Sequence, residues 1–312
     1  METRIITIAG CTASGKSSVA LRLAERLDAE IVSVDSMKIY RGMDIGTAKP
    51  SSADRQGVPH HLVDVADPWE NFSAARFVEL ADAAVEHVRR RNRPVVAVGG
   101  TVMYLKFFYE GMFAGPSADA AVREGIRRRA REQGLDALHA ELAGVDPRAA
   151  ERIHRNDLRR IERALEVYYL TGRPISSLQG QWDAGALRRP DWAWRLIGLR
   201  REREAASRRI NARVREMVSA GLVDEARRLW SDPRGVSAAA RQAVGYAELF
   251  EHFEGRMSLE AAIERIKINS RQLAKHQRTW LKRFGSMTWL DVAEGETNEQ
   301  VAERVLDTLR AP

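Results

Sequence analysis

Residues 4–27 read RIITIAGCTASGKSSVALRLAERL, and their order decides the fold. Ile5, Ile6 and Ile8 make a strand-like run, Gly10-Cys-Thr-Ala-Ser-Gly-Lys-Ser17 is a complete phosphate loop, and Ser17 to Leu27 has the apolar period of a helix. Gly10 and Gly15 let the backbone turn its N–H groups inward, the helix adds its positive end, and Lys16 adds a mobile cation. Gly10, Cys11, Thr12, Ala13, Ser14, Gly15, Lys16 and Ser17 are therefore the predicted cradle for an anionic phosphate chain, with Ser17 placed to hold Mg²⁺. Kinases, nucleotidases and transferases of diphosphate-activated groups all use such a cradle, so the loop alone does not choose among them.

Around this stretch, apolar runs at Arg4 to Ala9, Glu30 to Val34 and Pro94 to Val98 alternate with helical patterns, which predicts βαβ units and a parallel sheet. The runs end in the phosphate loop, in Asp35-Ser36 and in Gly99-Gly100-Thr101. Ligands of open parallel sheets lie beyond the carboxyl ends of the strands, so these endings are expected to share one site. After Gly115-Pro116 the chain becomes rich in Ala, Arg and Glu without βαβ alternation, and Arg195 to Leu199 resumes an apolar run. The fold class expected is α/β: a parallel-sheet core of the P-loop NTPase kind over residues 1–115 and 190–312, flanked by helices, with an all-helical insertion over 116–189. Asn298 to Pro312 reads as a closing amphipathic helix.

The 312 residues are 44% hydrophobic and 30% charged, a balance normal for a globular chain, and the formal net charge of +7 leans toward a polyanionic partner. No apolar stretch approaches the ~20 residues that span a bilayer, and the first strand starts too early for a signal peptide, so a cytoplasmic protein without a membrane partner is expected. The single cysteine, Cys11, excludes an intramolecular disulfide and any multi-cysteine metal site.

Between Arg265 and Arg283 stand seven Lys or Arg residues and no acid. Lys267, Arg271, Lys275, Arg278 and Lys282 recur at helical spacing, with Ile266, Leu273, Trp280 and Phe284 expected on the opposite, core-facing side. A purely cationic face is what a nucleic-acid backbone requires. A second Arg-rich face, with Arg152, Arg155, Arg159 and Arg163 preceded by Arg123 and Arg127 to Arg129, is interleaved with Glu151, Asp157 and Glu162, so intrahelical ion pairs are expected to account for part of it.

Taken together, these motifs resemble the tRNA dimethylallyltransferase family, also called tRNA isopentenyltransferases. The resemblance runs through the phosphate loop, Asp35-Ser36 with Tyr40, Met43-Asp-Ile-Gly-Thr-Ala-Lys-Pro50, His60-His-Leu-Val-Asp64, Gly99-Gly-Thr101 with Tyr104, Arg163-Ala-Leu-Glu-Val167, Thr171-Gly172, Gly245-Tyr246, and Arg271-Gln-Leu-Ala-Lys275 with Gln277 and Trp280. It implies transfer of a dimethylallyl group from dimethylallyl diphosphate to N6 of the adenosine at position 37 of tRNA, with release of diphosphate. The phosphate loop then grips a leaving group, whose developing charge the loop N–H groups, Lys16 and Mg²⁺ stabilise. By the same resemblance Asp35 orients the N6 amine and takes its proton, and Thr101 and Arg213 approach the reacting diphosphate. Asp35, Ser36, Met37, Lys38, Thr101, Arg123, Arg159, Arg160 and Arg163 are the implied tRNA contacts, joined by Lys267, Arg271, Lys275 and Arg278 of the basic helix. The expected partner is the anticodon stem-loop, met by the insertion and by the basic helix, and the expected state is a monomer.

Four positions depart from the family pattern: Cys11 stands for a proline, Val102-Met103 for Gly-Leu or Met-Leu, and His276 for an arginine. His60-His61 lacks further ligands at metal spacing and reads as a turn or as buried packing. Trp182, Trp192 and Trp194 read as packing rather than base stacking. The rival readings are a small-molecule kinase with Asp35 as its base, a prenyltransferase acting on free adenosine nucleotides, and a non-catalytic RNA-binding protein.

Overall fold

A computed structural model describes residues 3–113, 115–183 and 192–310. The chain divides into two compact units, Met1–Phe108 with Pro190–Pro312, and Tyr109–Arg189.

In the first unit, β1 (Thr3–Gly10), β2 (Glu30–Val34), β3 (His60–His61), β4 (Val95–Gly99), β5 (Trp192–Arg200) and β6 (Thr288–Asp291) form one sheet in the order β3-β2-β4-β1-β5-β6. Every neighbouring pair is parallel. β2 (Glu-Ile-Val-Ser-Val) and β4 (Val-Val-Ala-Val-Gly) are buried along their whole length, as inner strands of a parallel sheet covered on both faces are. The helices α1 (Lys16–Leu27), α2 (Ser52–Gly57), α3 (Ala74–Arg89) and α4 (Val102–Glu110) follow the successive strands.

The second unit holds α5 (Ala120–Gln133), α6 (Leu135–Val145), α7 (Pro147–Arg152), α8 (Leu158–Thr171) and α9 (Ile175–Asp183) around a core of Ile126, Leu138, Leu142, Ile161, Leu165 and Leu178. No described residue of this unit is in a strand. The chain then returns through β5 to α10 (Arg203–Ser219), α11 (Leu222–Trp230), α12 (Ala238–Arg241), α13 (Tyr246–Phe253), α14 (Leu259–Leu281) and α15 (Asn298–Arg310).

Side chains alternate across β1, so Ile6 and Ile8 turn to one face, where they pack with Val19 and Leu23 of α1 and Val301 and Val305 of α15. Phe77 of α3 stacks on Tyr104 of α4 at 4.2 Å. A second core gathers Ile39, Tyr40 and Met43 with Val214, Leu222, Tyr246, Phe250, Ala262 and Ile266. The segment after β2 is therefore held inside a helical layer.

Short edge strands were beyond the reach of apolar runs. His60-His61 is strand β3, not a turn; it is half-buried, and His61 Nε2 lies 2.7 Å from the buried carboxylate of Glu30. Trp192 and Trp194 pack edge-on against Phe108, and Trp182 against Phe113, as packing residues do.

Candidate active site

Strand register builds the site. Val34 of β2, Gly99 of β4 and Ala9 of β1 stand abreast, so Asp35, Gly100 and Gly10, the last residue of β1, come side by side at the carboxyl end of the sheet. The close passage demands glycine at position 99, where a Cβ would lie 1.9 Å from the Val34 carbonyl oxygen.

The phosphate loop is shaped by what grips its carbonyls. Lys16 Nζ donates to Cys11 O at 3.2 Å, Arg209 Nε to Ala13 O at 3.1 Å, and Arg201 Nε to Ser14 O at 3.0 Å. With these carbonyls held by cations, the planes of their peptides are fixed. Gly15 caps α1 at φ +95°, a conformation that glycine adopts without a Cβ penalty. A Cβ on Gly10 would come within 2.6 Å of Ser14 Oγ and 3.0 Å of Leu199 O. Cys11 is a small buried residue packed with Ala13, Ile210 and Ala274.

At the end of β2, Asp35 Oδ1 accepts the N–H groups of Met37 at 2.9 Å and Lys38 at 3.4 Å. Its other oxygen has no hydrogen bond to a described residue. Thr101 Oγ1 accepts from Ser36 N at 3.0 Å and donates to Ser36 Oγ at 3.2 Å, tying the β4 ending to the β2 ending. Burial, with the charges of Tyr40 and Asp35, raises the Tyr104 phenol above its ordinary range.

Lys38 Nζ donates to Ser17 Oγ at 3.4 Å, across the gap between the β2 ending and α1. Burial lowers Lys16 to about 8, helped by the charges of Lys38 and Arg213 and opposed by that of Asp35. Burial also lowers Lys38 and Arg213, again against the pull of Asp35. Hydrogen bonds from the Lys38 N–H to Asp35, from the Lys38 ammonium to the Ser17 hydroxyl beside Lys16, and between Thr101 and Ser36 bring these residues to one end of the sheet, and the charge of Arg213 acts on Lys16 and Lys38 there. Ser17 Oγ is exposed on the first turn of α1. No group of three His, Cys, Asp or Glu among the described residues could hold a metal ion. An ion at Ser17 would take one hydroxyl from the protein and its other oxygens from ligand and water.

The residues implied as nucleic-acid contacts differ in availability. Arg123 and Arg163 are engaged with Glu166, and Arg127 with Glu162. Glu162 and Glu166 are buried, and the Arg123 and Arg127 pairs run between α5 and α8, while Arg163–Glu166 and Arg160–Asp157 are the intrahelical pairs that account for part of the face. Arg159 and Arg160 are exposed, with Arg160 lying 3.4 Å from Asp157. On α14, Lys267 pairs with Glu264 at 2.5 Å and Arg271 donates to Asn211 Oδ1 at 2.5 Å, while Lys275 projects into solvent. Arg278 is half-buried beside Cys11, Arg201 and Trp289. The buried face of α14 is Ala262, Ile266, Ala274 and Leu281. Leu273 and Trp280, expected to face the core, are each 40% exposed, because the two alanines let the helix approach closely on a different side.

Four contributors to this site were not singled out by sequence. Arg201 and Arg209 lack any motif that would mark them. Gln277 stood in a motif without an assigned task; it accepts Thr12 N–H at 2.8 Å and donates to Gly100 O at 3.0 Å. Glu225, buried in α11, accepts the N–H groups of Asp44, Ile45 and Gly46 and the Tyr246 hydroxyl. It pins the Met43-to-Pro50 stretch.

Residues 38–284 match the family model described as IPP transferase. The chain is 46% identical over 290 residues to a tRNA dimethylallyltransferase of Geobacter metallireducens, covering 93% of each chain. It is 45% identical to one of Geobacillus thermodenitrificans, over 95% of this chain and 93% of that one. Among solved structures, the tRNA isopentenylpyrophosphate transferase of Bacillus halodurans superposes with a TM-score of 0.70 at 37% identity, over 99% of this chain and 97% of that one. A eukaryotic dimethylallyltransferase acting on tRNA gives a TM-score of 0.81 at 26% identity, over 97% of this chain and 78% of that one. Similarity of this degree over nearly the whole length shows that the chain belongs to the IPP transferase family, as an enzyme of the tRNA dimethylallyltransferase kind.

Proposed function

We propose that this protein transfers a dimethylallyl group from dimethylallyl diphosphate to N6 of the adenosine at position 37 of tRNA, releasing diphosphate in the cytoplasm. The observation that carries this reading is the link from Asp35 to the phosphate loop: Lys38, whose N–H is held by Asp35 Oδ1, reaches with its side chain the Ser17 hydroxyl beside Lys16, which sets one carboxylate near a cationic anion cradle.

In this reading the phosphate loop, Lys16 and Arg213 bind the diphosphate and favour the charge that grows on it as the carbon–oxygen bond breaks. Arg213 brings a planar fork suited to phosphate oxygens. The N6 nitrogen attacks the allylic carbon, and its proton passes to the free oxygen of Asp35. An exocyclic adenine amine is a weak nucleophile, so orientation by the carboxylate counts for more than basicity. Thr101, bonded to Ser36, keeps the β2 and β4 endings at fixed spacing around the reacting groups. The exposed Ser17 hydroxyl suits Mg²⁺, which takes few protein oxygens and many from phosphate and water, and which neutralises phosphate charge when bound. Unstacking the target base costs a few kcal/mol and is cheapest in a single-stranded loop, as an anticodon loop offers. Lys275 of α14, with Arg159 and Arg160 of the helical unit, supplies exposed charge for the RNA backbone. The protein acts as a monomer.

The test is incubation with tRNA and labelled dimethylallyl diphosphate, followed by mass spectrometry of the tRNA nucleosides. One isopentenyl unit on adenosine is expected. Asp35→Asn retains an acceptor for Met37 N–H and is expected to bind tRNA normally while transfer falls by about 10²–10⁴. Turnover of ATP on a small metabolite with no label in tRNA would instead establish the kinase.

A further inference from the structure

The phosphate loop is held from behind by an arginine that no phosphate motif calls for. Arg201, the first residue after β5, is 7% exposed; its Nε donates to Ser14 O at 3.0 Å and its Nη1 to Ala293 O at 3.0 Å. Its chain neighbour Arg200 is exposed and paired with Asp291, as a surface arginine commonly is. The second anchor of Arg201 is itself fixed. Ala293 N–H is held by Glu296 Oε2 at 2.9 Å, and Glu296 pairs with Arg304 of α15 at 2.8 Å. A buried guanidinium thus ties the loop to the turn between β6 and α15.

The Ser14 carbonyl shares one planar unit with the Gly15 N–H, and in a trans peptide the two point in opposite directions. With its oxygen turned back onto Arg201, this unit sends the Gly15 N–H to the opposite side of the loop. That N–H has no hydrogen bond to a described residue, whereas two other loop donors are already taken: Thr12 N–H by Gln277 at 2.8 Å and Ser14 N–H by Cys11 O at 3.2 Å. Glycine at φ +95° has no Cβ to bar other backbone conformations, so the orientation of the unit depends on an outside hold. A charged donor on the carbonyl also polarises the peptide, which makes its N–H the stronger donor. We propose that Arg201 is a positioning residue for the transfer reaction: by holding the Ser14 carbonyl it aims the Gly15 N–H at the diphosphate and strengthens that hydrogen bond. Diphosphate as the bound group rests on the reaction proposed above.

Ser14-Gly15 is the single Ser-Gly pair in the sequence, so isotope labels in the serine carbonyl and the glycine nitrogen report the Gly15 amide alone in the full chain. In magnesium buffer, saturating inorganic pyrophosphate is expected to move this resonance downfield. Arg201→Met is expected to bind pyrophosphate about tenfold more weakly by calorimetry, with a downfield shift about half as large at saturation. Arg201→Gln serves if the methionine variant fails to fold. Arg201→Lys keeps a cationic donor and is expected within about threefold of wild type, while Arg200→Ala and the tRNA affinity of every variant are expected to match it. A merely structural role would lower stability and leave the bound Gly15 resonance where it stands in wild type. Wild-type affinity and an unchanged bound resonance in Arg201→Met or Arg201→Gln overturn the proposal, as does an equal loss in Arg200→Ala. So does a wild-type Gly15 amide that ignores bound pyrophosphate, a result that needs no variant. Failure of wild type to bind pyrophosphate at all would overturn the diphosphate cradle together with the proposal, whereas the other outcomes leave the cradle standing.

Discussion

Gln277 of α14 accepts the Thr12 N–H at 2.8 Å with one end of its amide and donates to Gly100 O at 3.0 Å with the other. A single side chain thereby links the phosphate loop to the β4 ending. Gln277→Ala removes both bonds, each worth about 1 kcal/mol net, and is expected to raise the KM for dimethylallyl diphosphate about 5–10-fold with little change in tRNA affinity. Gln277→Glu keeps the acceptor for Thr12 but loses the donor and adds a negative charge beside the cradle. Steady-state kinetics with the diphosphate varied should rank it below the alanine variant; equal KM values for all three proteins would show that the bridge does nothing.

Glu225 gathers four donors from distant positions, so its carboxylate is worth more than its local helix. Replacement by Gln presents an amide N–H to backbone N–H groups and is expected to lower stability by on the order of 3 kcal/mol. Tyr246→Phe, which deletes one of the four, should cost about 1 kcal/mol. Urea unfolding midpoints at constant slope would measure both. A loss for Glu225→Gln no larger than that for Tyr246→Phe would contradict the clamp.

Acid should weaken the helical unit through Glu166. Burial pushes this carboxyl up, but bonds from Arg123, Arg163 and the Asp119 N–H outweigh it and leave it below its ordinary value of 4.5. A depressed carboxyl contributes stability that is fully present above the unfolded value and lost as pH falls through the folded one. The stability gap between wild type and Glu166→Gln is therefore expected to be widest near neutrality and to close below about pH 4.5. Thermal melts of both proteins from pH 7 to about 3 would show it; a gap independent of pH would refute it.

The cations of α14 should contribute unequally to tRNA binding. Lys275 is free in solvent, whereas Lys267 already pairs with Glu264. Lys275→Ala is expected to reduce the slope of log Kd against log salt by about 0.7–0.9, the release expected for one phosphate contact, and Lys267→Ala by less. Binding titrations across a salt series would decide; a larger change at Lys267 would reverse the assignment.

Much of the core was legible because buried parallel strands are written as uninterrupted apolar runs. β1, β2 and β4 follow those runs within a residue or two. β3 and β6 were not visible, since strands of two and four residues at the sheet edges are defined by their partners more than by their own composition. The basic stripe of α14 could be counted in the sequence, but the face it turns outward could not. Burial of Ala262 and Ala274, instead of Leu273 and Trp280, depends on how closely the helix approaches its neighbours.

The sequence by itself determined the cradle: Gly15 tolerates φ +95°, Lys16 follows it, and a strand and a helix flank the turn, all through interactions among near neighbours in the chain. Only the tertiary structure decided which cations are neutralised. Lys38 and Lys49 lie eleven residues apart in one segment, yet Lys49 forms ion pairs with Asp44 and Asp64 while Lys38 is carried to the Ser17 hydroxyl and, among the described residues, has no carboxylate within ion-pair distance. Coulomb energy depends on distance in space and on exclusion of water, and neither is set until the β2 ending packs against α1.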